Sequence, residues 1–177
     1  HEDFPYNYMI LRTSGLYGRY GKNNFLKKIE EKTDDRKESA RGTDFVKLIE
    51  DQWYCPTSAL QLARQIKILA DLSKEDREYI VNRNGNVLNA NNLGFTSPYL
   101  FASTYLILSN RSYQLRYIEP ISFDKYFELH PDTAKRPKSV VLKNDLIDFG
   151  SEICPFTTIE EAVEEYVKKL ERQVKYI

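Results

Sequence analysis

The sequence predicts an α/β domain, because strand-like runs of apolar residues alternate with amphipathic, helix-like segments. The first strand-like run covers residues 6–13, where apolar residues and β-formers follow one another without alternation, as in a buried strand. A helix-like segment begins near Lys22, and a second strand-like run covers residues 44–50. The order strand, helix, strand is typical of sheets whose strands are parallel.

Helix-start signals locate three further helices. Each is preceded by a serine or threonine whose side chain can cap it: Thr57 or Ser58, then Ser73 with Asp76 three residues later, then Ser97 with Pro98 after it. The first of these helices has apolar residues at Leu62, Ile66 and Leu69. The third is apolar around most of its circumference, which predicts that other elements cover it.

The last third of the chain continues the pattern with shorter elements. Strands are expected over residues 85–90 and 114–121, and a short helix over residues 123–129. The final helix, from Thr158 to about Lys175, has an apolar stripe along one side. Glutamates near its N-terminal half lie where the helix dipole favours them, so this helix is interpreted as structural.

Length and composition favour a single domain over residues 1–177. The 26 acidic and 26 basic residues cancel, which argues against nucleic-acid binding and against a polybasic membrane contact. No apolar run approaches the roughly 18 residues that a membrane helix needs. Cys55 and Cys154 are too few for a disulfide framework and lack metal-site spacing, so buried free thiols and a cytoplasmic location are expected. Residues 34–43 are polar without periodicity, which predicts an exposed loop.

Three evenly spaced glycines follow the first strand-like run. Gly15, Gly18 and Gly21 lie between that run and the helix-like segment, where the turn of a dinucleotide-binding motif belongs. Glycines there let backbone amides approach a pyrophosphate at a helix N-terminus. The second strand-like run ends on Glu50 and Asp51, where a ribose-binding carboxylate would lie, although about ten residues later than usual. One hypothesis is therefore a self-contained dinucleotide-binding domain.

A second hypothesis rests on several blocks of sequence around and after these glycines. In chain order the blocks are ILRTS (10–14), LYG (16–18), GKNNF (21–25), DQ (51–52), PTSA (56–59), LA (62–63), the pattern N-x-G-x-x-S-x-Y-x-F-A (92–102), AKRP (134–137) and VL (141–142). Together they resemble the dTDP-4-dehydrorhamnose reductase family of extended short-chain dehydrogenases, from about Tyr6 to about Leu170. Several blocks in the family's order outweigh one glycine pattern, so we favour this hypothesis.

The resemblance implies the C-terminal part of a Rossmann-type extended short-chain dehydrogenase, with a small mixed α/β substrate-binding lobe. In that family the glycine fingerprint for the cofactor and the Tyr-x-x-x-Lys catalytic pair lie N-terminal to the part that this chain resembles. None of the 13 tyrosines here has a lysine four residues later. We therefore expect no catalytic residue in this chain, and NAD(P)H to be bound mainly by a missing N-terminal part. The abrupt start at His1 suggests a cut inside a longer protein, or the remnant of a tag.

The resemblance also implies positions for the site residues. It places Thr13 and Ser14 beside the nicotinamide, and it assigns the nucleotide sugar to Asn24, Gln52, Thr57 and Arg136. The planar guanidinium of Arg136 suits two diphosphate oxygens, although a solvated basic turn is the alternative. Residues 51–57 supply an acid, an amide, two aromatic side chains and a hydroxyl, which a sugar nucleotide needs. Packing of those two aromatic side chains on the core is the other interpretation.

The whole protein would then reduce the 4-keto group of a deoxysugar nucleotide with NAD(P)H, in the synthesis of cell-surface polysaccharide. The chain departs from the family at Gly15, where an aromatic residue is common, at Leu93, where an acid is common, and at Lys135, where Arg is common. These departures leave the sugar and the base open, and they keep a non-enzymatic regulatory subunit as an alternative. The resemblance also leaves a homodimer open, and it identifies no carboxylate for the Mg²⁺ that some relatives hold between subunits.

Overall fold

The computed structural model describes residues 8–20, 24–34 and 45–174, and over these ranges it contains eight short strands and six α-helices. The strands are β1 (Ile10–Arg12), β2 (Leu16–Tyr17), β3 (Val46–Ile49), β4 (Trp53–Tyr54), β5 (Thr57–Ser58), β6 (Val87–Asn89), β7 (Ile118–Ile121) and β8 (Ser139–Val140). The helices are α1 (Phe25–Thr33), α2 (Ala59–Asp71), α3 (Lys74–Asn84), α4 (Pro98–Leu108), α5 (Phe123–Leu129) and α6 (Ile159–Val174). None of these helices combines the length and the apolarity that crossing a membrane requires.

The strands pair two by two, and every pair is parallel. β1 pairs with β6, β2 with β5, β3 with β7, and β4 with β8. Parallel partners need a crossover connection, and helices lie in the connections between these strands. The pairing confirms the α/β class with parallel strands that the sequence predicts.

Side-chain caps fix where the helices begin. Asn24 caps α1, since its Oδ1 accepts a hydrogen bond from the Leu26 amide at 3.0 Å. The caps of α2, α3 and α4 are the predicted serines Ser58, Ser73 and Ser97. Each cap pairs an otherwise unsatisfied amide of the first turn and is worth about 1 kcal/mol.

The main core lies where α1, α4 and α6 pack around β3 and β7. Phe101, Tyr105 and Leu106 of α4 are completely enclosed there, and each apolar side chain of this size contributes roughly 1.5–3 kcal/mol when buried. The prediction that other elements cover α4 is correct for this face, whereas Leu100 and Ile107 remain exposed. A second core forms between α2, α3, β6 and the segment 144–156.

A buried polar network joins the ends of β5 and β6 to α2 and α6. Gln61 Oε1 accepts hydrogen bonds from Asn92 Nδ2 at 2.7 Å and from the Thr157 amide at 3.1 Å. Gln61 Nε2 donates to Thr157 Oγ1 at 3.0 Å and to Glu165 Oε2 at 3.3 Å. Asn92 Oδ1 accepts from the Ser58 amide at 2.8 Å. All the side-chain amide atoms of Gln61 and Asn92 are therefore paired within the protein.

Two strands differ from the expectation. β1 is shorter than the expected strand over residues 6–13. The expectation that this strand is buried is wrong, because Ile10 is exposed and β1 is paired on one edge only within the described residues. Residues 6 and 7 lie outside those ranges. The expected strand over 114–121 begins instead as a 3₁₀ helix, Ser112–Tyr117, in which the buried Gln114 side chain accepts a hydrogen bond from Thr33 Oγ1 at 3.0 Å.

The buried face of α2 is polar where the sequence suggested an apolar face. Gln61 and Gln65 are buried beside Leu69, whereas Ile66 is exposed. Both glutamines bond to other segments: Gln61 through its whole amide, and Gln65 through Nε2, which donates to the Ile153 carbonyl at 2.8 Å. Hydrophobic periodicity cannot detect a face built in this way.

Several expectations concern loops and cysteines. The expected loop 34–43 lies outside the described residues from position 35 onward, as do Gly21 and the expected helix start at Lys22.

Cys55 and Cys154 are buried free thiols, as predicted. Burial raises the pKa of both thiols, so they remain protonated at neutral pH.

Candidate functional site

A cleft of about 380 Å³ opens at the carboxyl ends of β1 and β3, the edge at which ligands bind in α/β sheets. Its lining is mostly apolar and aromatic, with a few polar side chains, which is typical of ligand sites. The lining residues are Ser14, Gly15, Leu16, Tyr17, Phe25, Gln52, Tyr54, Pro98, Phe101, Arg136, Pro137 and Val140. They come from separate parts of the chain, so the cleft exists only in the folded protein.

One wall of the cleft is the segment 136–140, which ends in β8 and is tied to the loop after β3. Gln52 Nε2 donates to the Pro137 carbonyl at 3.0 Å. The Trp53 amide donates to the Lys138 carbonyl at 2.9 Å, and the pairing of β4 with β8 continues this contact. The segment that carries Arg136 is therefore positioned by the backbone and side chain of residues 52–54.

An ion pair strengthens the same connection. Asp51 Oδ2 lies 2.7 Å from Lys138 Nζ, and Asp51 Oδ1 accepts a hydrogen bond from the Phe123 amide at 2.6 Å. The hydrogen bond from Lys138 lowers the pKa of Asp51 below its ordinary value. Asp51 is thus engaged by the protein on both oxygens. In the part of the chain that the structure describes, no three His, Cys, Asp or Glu side chains are grouped so as to hold a metal ion.

Arg136 is the one charged side chain among the described residues that line the cleft. It is exposed, and no carboxylate in the described ranges pairs with it. Its neighbours differ in this respect, because Lys138 pairs with Asp51 and Lys135 lies 3.9 Å from Asp124. The guanidinium of Arg136 is therefore available for an anionic group of a ligand.

Aromatic rings form the opposite wall. Phe101 lies at the centre, in edge contact with Tyr17 at 5.1 Å and with Tyr54 at 6.2 Å between ring centroids, and Phe25 stacks on it at 5.8 Å. Burial raises the pKa of Tyr17 and of Tyr54, so both hydroxyls are protonated at neutral pH. The Tyr54 hydroxyl makes no hydrogen bond to any residue that the structure describes. It can donate one to a ligand.

The structure brings three of the six predicted site residues together in the cleft: Ser14, Gln52 and Arg136. Thr13 is adjacent to Ser14, and its hydroxyl donates to the Ser14 carbonyl at 3.3 Å. Thr13 and Ser14 are the first two residues after the carboxyl end of β1, which is where the resemblance places the nicotinamide.

Asn24 and Thr57 are buried and do not line the cleft. Asn24 Nδ2 donates to the Gly18 carbonyl and, at 3.4 Å, to the Tyr166 hydroxyl, while its oxygen caps α1. Thr57 Oγ1 donates to the Cys55 carbonyl at 3.2 Å. Both side chains bond to the protein itself, and their assignment to the nucleotide sugar stays a prediction.

The glycine pattern has a different structural setting from a phosphate-binding turn. Strand β2 lies between Gly15 and Gly18, and the Gly15 carbonyl accepts a hydrogen bond from the Thr57 amide at 2.9 Å. A dinucleotide cradle requires a loop that runs into a helix N-terminus, and β2 leaves no such loop between these two glycines. Gly21 lies outside the described residues.

Sequence reasoning missed part of the aromatic wall. Phe101 lies in an apolar helix, where aromatic residues are normally assigned to a core, and Tyr17 and Phe25 carry no local signal of a ligand site. They do belong to the core on one side and face the cleft on the other. Tyr54 could be found in advance, since the aromatic pair after Gln52 is one of the reasons to expect a ligand there.

Comparison with known proteins identifies the family. Residues 3–172 match the family model described as the RmlD substrate binding domain. The comparison with curated proteins gave no match. This family is the one that the sequence blocks resemble, so the recognition made from sequence is confirmed.

Solved structures agree with the family and fold. A dTDP-4-dehydrorhamnose reductase from Clostridium acetobutylicum is 26% identical, with a TM-score of 0.67 over 93% of this chain and 49% of that chain. The Bacillus anthracis dTDP-4-dehydrorhamnose reductase in complex with NADP is 24% identical, with a TM-score of 0.66 over 92% of this chain and 48% of that chain. The Bacillus anthracis dTDP-glucose 4,6-dehydratase in complex with NAD is 13% identical, with a TM-score of 0.56 over 95% of this chain and 46% of that chain.

The two reductases and the dehydratase share the Rossmann-type extended short-chain dehydrogenase fold, and the chain spans about half the length of each. The fold class predicted from sequence is therefore confirmed. With a family match over nearly all of its length, this chain belongs to the RmlD substrate binding domain family.

Proposed function

We propose that this chain is the nucleotide-sugar-binding portion of an NAD(P)H-dependent enzyme similar to dTDP-4-dehydrorhamnose reductase. The observation that carries the proposal is the position of Arg136. It is a cation without an ion-pair partner among the described residues, and it lies at the edge of an aromatic cleft, on a segment that Gln52 and Lys138 hold in place. A diphosphate between a flat base and a sugar ring matches such a combination, because the phosphates need a cation and the rings need apolar faces.

The proposal gives each cleft residue a part in binding. Arg136 would bind the diphosphate with its planar fork, and Gln52 would contact the ligand from the same wall. Asn24 and Thr57 would act on the ligand by shaping the cleft, since their side chains bond to the protein. Ser14, with Thr13 behind it, would border the nicotinamide at the end of β1.

The cofactor would be bound chiefly by the part of the relatives that this chain does not span. β1 offers a place for that part, because it has, like every described strand, a partner on one edge only, and Tyr8, Ile10 and Val87 around it are exposed apolar side chains. An unpaired edge with apolar neighbours is a template for a further strand. NAD(P)H bound across this junction would supply the hydride that reduces the 4-keto group of the sugar.

Titration of the chain with dTDP, with UDP and with NADPH by calorimetry tests the proposal. We expect dTDP or UDP to bind, and the Arg136→Ala variant to bind about 10- to 100-fold more weakly, because a charge-assisted hydrogen bond contributes roughly 1.5–3 kcal/mol. NADPH should bind weakly or not at all. The matched control is Lys143→Ala, which removes an exposed cation that does not line the cleft. Equal loss in both variants would contradict a specific role for Arg136.

The departures from the family pattern support a second candidate function. Gly15, Leu93 and Lys135 differ from the residues common in the family, so a non-enzymatic regulatory subunit of the same family is the alternative. Such a subunit would bind a partner protein through the exposed edge of β1. Failure of both nucleotides to bind, together with tight binding of a partner protein, would favour it over the enzyme.

A further inference from the structure

The stretch of chain that carries Arg136 has no regular structure of its own. Residues 131–138 form neither helix nor strand, and every one of them is exposed. Such a stretch is held in place by its contacts with other segments, because it has no helix or strand ladder to fix its backbone. The position of the Arg136 guanidinium therefore depends on what binds the residues next to it in the chain.

The backbone directly after Arg136 is held by the loop that follows β3. Gln52 Nε2 donates to the Pro137 carbonyl at 3.0 Å, and the Trp53 amide donates to the Lys138 carbonyl at 2.9 Å. Both contacts end on carbonyl oxygens of the segment. They fix its backbone but not its side chains.

Asp51 binds a side chain of the same segment. Its Oδ2 atom lies 2.7 Å from Lys138 Nζ, and its Oδ1 atom accepts a hydrogen bond from the Phe123 amide at 2.6 Å. The second bond matters, because a carboxylate already held by the backbone loses little further freedom when it binds a lysine. The Lys138 ammonium also lies 5.8 Å from the centre of the Phe123 ring. One carboxylate therefore joins the segment to the start of α5.

The lysines on either side of Arg136 both contact α5. Lys135 Nζ lies 3.9 Å from Asp124 and 5.7 Å from the centre of the Phe123 ring. Lys138 reaches the same ring, whereas Arg136 lines the cleft. With the lysines held on the α5 side, the guanidinium between them is left at the rim of the cleft.

We propose that Asp51 is a positioning residue for diphosphate binding: its ion pair with Lys138 holds the Arg136 guanidinium where it meets the phosphates. This inference rests on the proposed function, since it concerns the cation that binds the diphosphate. Its consequence is opposite to that of simple electrostatics. A carboxylate near an anion site repels the anion, so on charge alone its removal strengthens anion binding. Because this carboxylate positions Arg136, its removal weakens binding.

Calorimetric titration of the chain with dTDP tests the inference. We expect Asp51→Asn to weaken dTDP binding about three- to tenfold at neutral pH, although the variant removes a negative charge. Lys138→Met, which keeps the apolar stem, should weaken it similarly, whereas Lys138→Arg, which can still pair with Asp51, should bind dTDP as wild type does. The matched control is Asp71→Asn. It breaks an ion pair with Lys67 on α2, neither of which lines the cleft, and it should leave dTDP affinity unchanged.

A double-mutant cycle shows whether Asp51 acts through Arg136. In the Arg136→Ala background, Asp51→Asn should cause no further loss of dTDP affinity, because the guanidinium that Asp51 positions is absent. An equal loss in both backgrounds would show the inference wrong and leave the proposed function standing. The same holds if Asp51→Asn alone binds dTDP as tightly as wild type, or more tightly.

Failure of the proposed function has a different signature. If dTDP does not bind the wild-type chain, or binds it equally well after Arg136→Ala, the proposed function and the inference are both wrong. Melting temperatures show whether each variant is folded during the titration. Should Asp51→Asn be unstable, Lys138→Met takes its place in the double-mutant cycle, because it breaks the same ion pair and leaves the bond between Asp51 and the Phe123 amide intact.

Discussion

The polar network around Gln61 and the cleft around Arg136 are both rich in hydrogen-bonding groups, but they differ in how those groups are used. In the network, the amides of Gln61 and Asn92 are buried, and each of their polar atoms has a partner in the protein. In the cleft, the Arg136 guanidinium and the Tyr54 hydroxyl have no partner among the residues that the structure describes, and Arg136 is exposed.

The difference teaches how to separate stability from binding in this molecule. A buried polar group that loses its partner costs the free energy of its desolvation, so network substitutions should lower the free energy of unfolding. An exposed group without a partner contributes little to folding, so substitution of Arg136 should leave stability intact and change ligand affinity. Substitutions in the two regions therefore test the comparison directly.

The largest effect is expected from Asn92→Ala. The change leaves the Ser58 amide and Gln61 Oε1 without the partners that Asn92 provides in a buried setting. We expect the free energy of unfolding to fall by about 3 kcal/mol, measured by urea denaturation. The matched control is Asn84→Ala, which removes an exposed asparagine at the end of α3 and should cost less than about 0.5 kcal/mol. Similar losses of stability in both variants would contradict the claim that the buried polar network stabilises the fold more than an exposed asparagine does.

A smaller effect is expected from Arg64→Ala at the rim of the network. Arg64 makes two hydrogen bonds to Glu165, at 2.6 and 3.1 Å, and both side chains are partly exposed. Burial disfavours the charge of Glu165, but the hydrogen bonds from Arg64 and Gln61 outweigh this and lower its pKa. We expect a loss of about 1 kcal/mol that shrinks in high salt, because an exposed ion pair is screened. A loss that is independent of salt would indicate packing instead.

The ion pair that holds the Arg136 segment should make the free energy of unfolding depend on pH. The pKa of Asp51 is lowered in the folded protein, so its contribution to stability is present above the unfolded pKa of about 3.9 and is lost as pH falls through the folded pKa. Asp51→Asn keeps an acceptor for the Phe123 amide but loses the charge. We expect this variant to be less stable than wild type at pH 7 and equally stable well below pH 4, in denaturation curves recorded across that range. A constant difference at all pH values would exclude the ion pair as the cause.

The smallest effect on stability is expected from Arg136→Ala. Because Arg136 is exposed and unpaired within the described ranges, the free energy of unfolding should change by less than about 0.5 kcal/mol while nucleotide affinity falls. Thermal and urea unfolding of the variant check the first part. A clear loss of stability would show that Arg136 supports the fold, and the contrast between the two regions would fail.

The fold was largely predictable from sequence where local chemistry decides the structure. Ser58, Ser73 and Ser97 cap helices as predicted, since a hydroxyl before an apolar run is a local signal. Local sequence signals did not predict the features that depend on contacts between residues far apart in the chain. Gln61 is buried in α2 because Asn92 and Thr157, far along the chain, satisfy its amide.

The candidate site was predictable in part, and chiefly through family resemblance. Gln52 and Arg136 were expected at one site and line one cleft in the structure, although nothing local in the sequence connects two residues so far apart. The position of Gly15 beside the ring of Tyr54 could not be inferred, because this contact appears only in three dimensions. Pattern alone suggested a phosphate-binding turn there, in a segment that forms β2.

The pairing of strands has a consequence for how the chain acquires its structure. Every ladder joins strands that are distant in sequence, and even the shortest connection, between β2 and β5, contains α1 and β3. Because the described strands include no hairpin that could form first, closure of long loops must precede their pairing, which favours slow folding through partly ordered intermediates. During that interval the apolar edge of β1 would be open to other chains, so recovery after refolding should fall steeply as protein concentration rises.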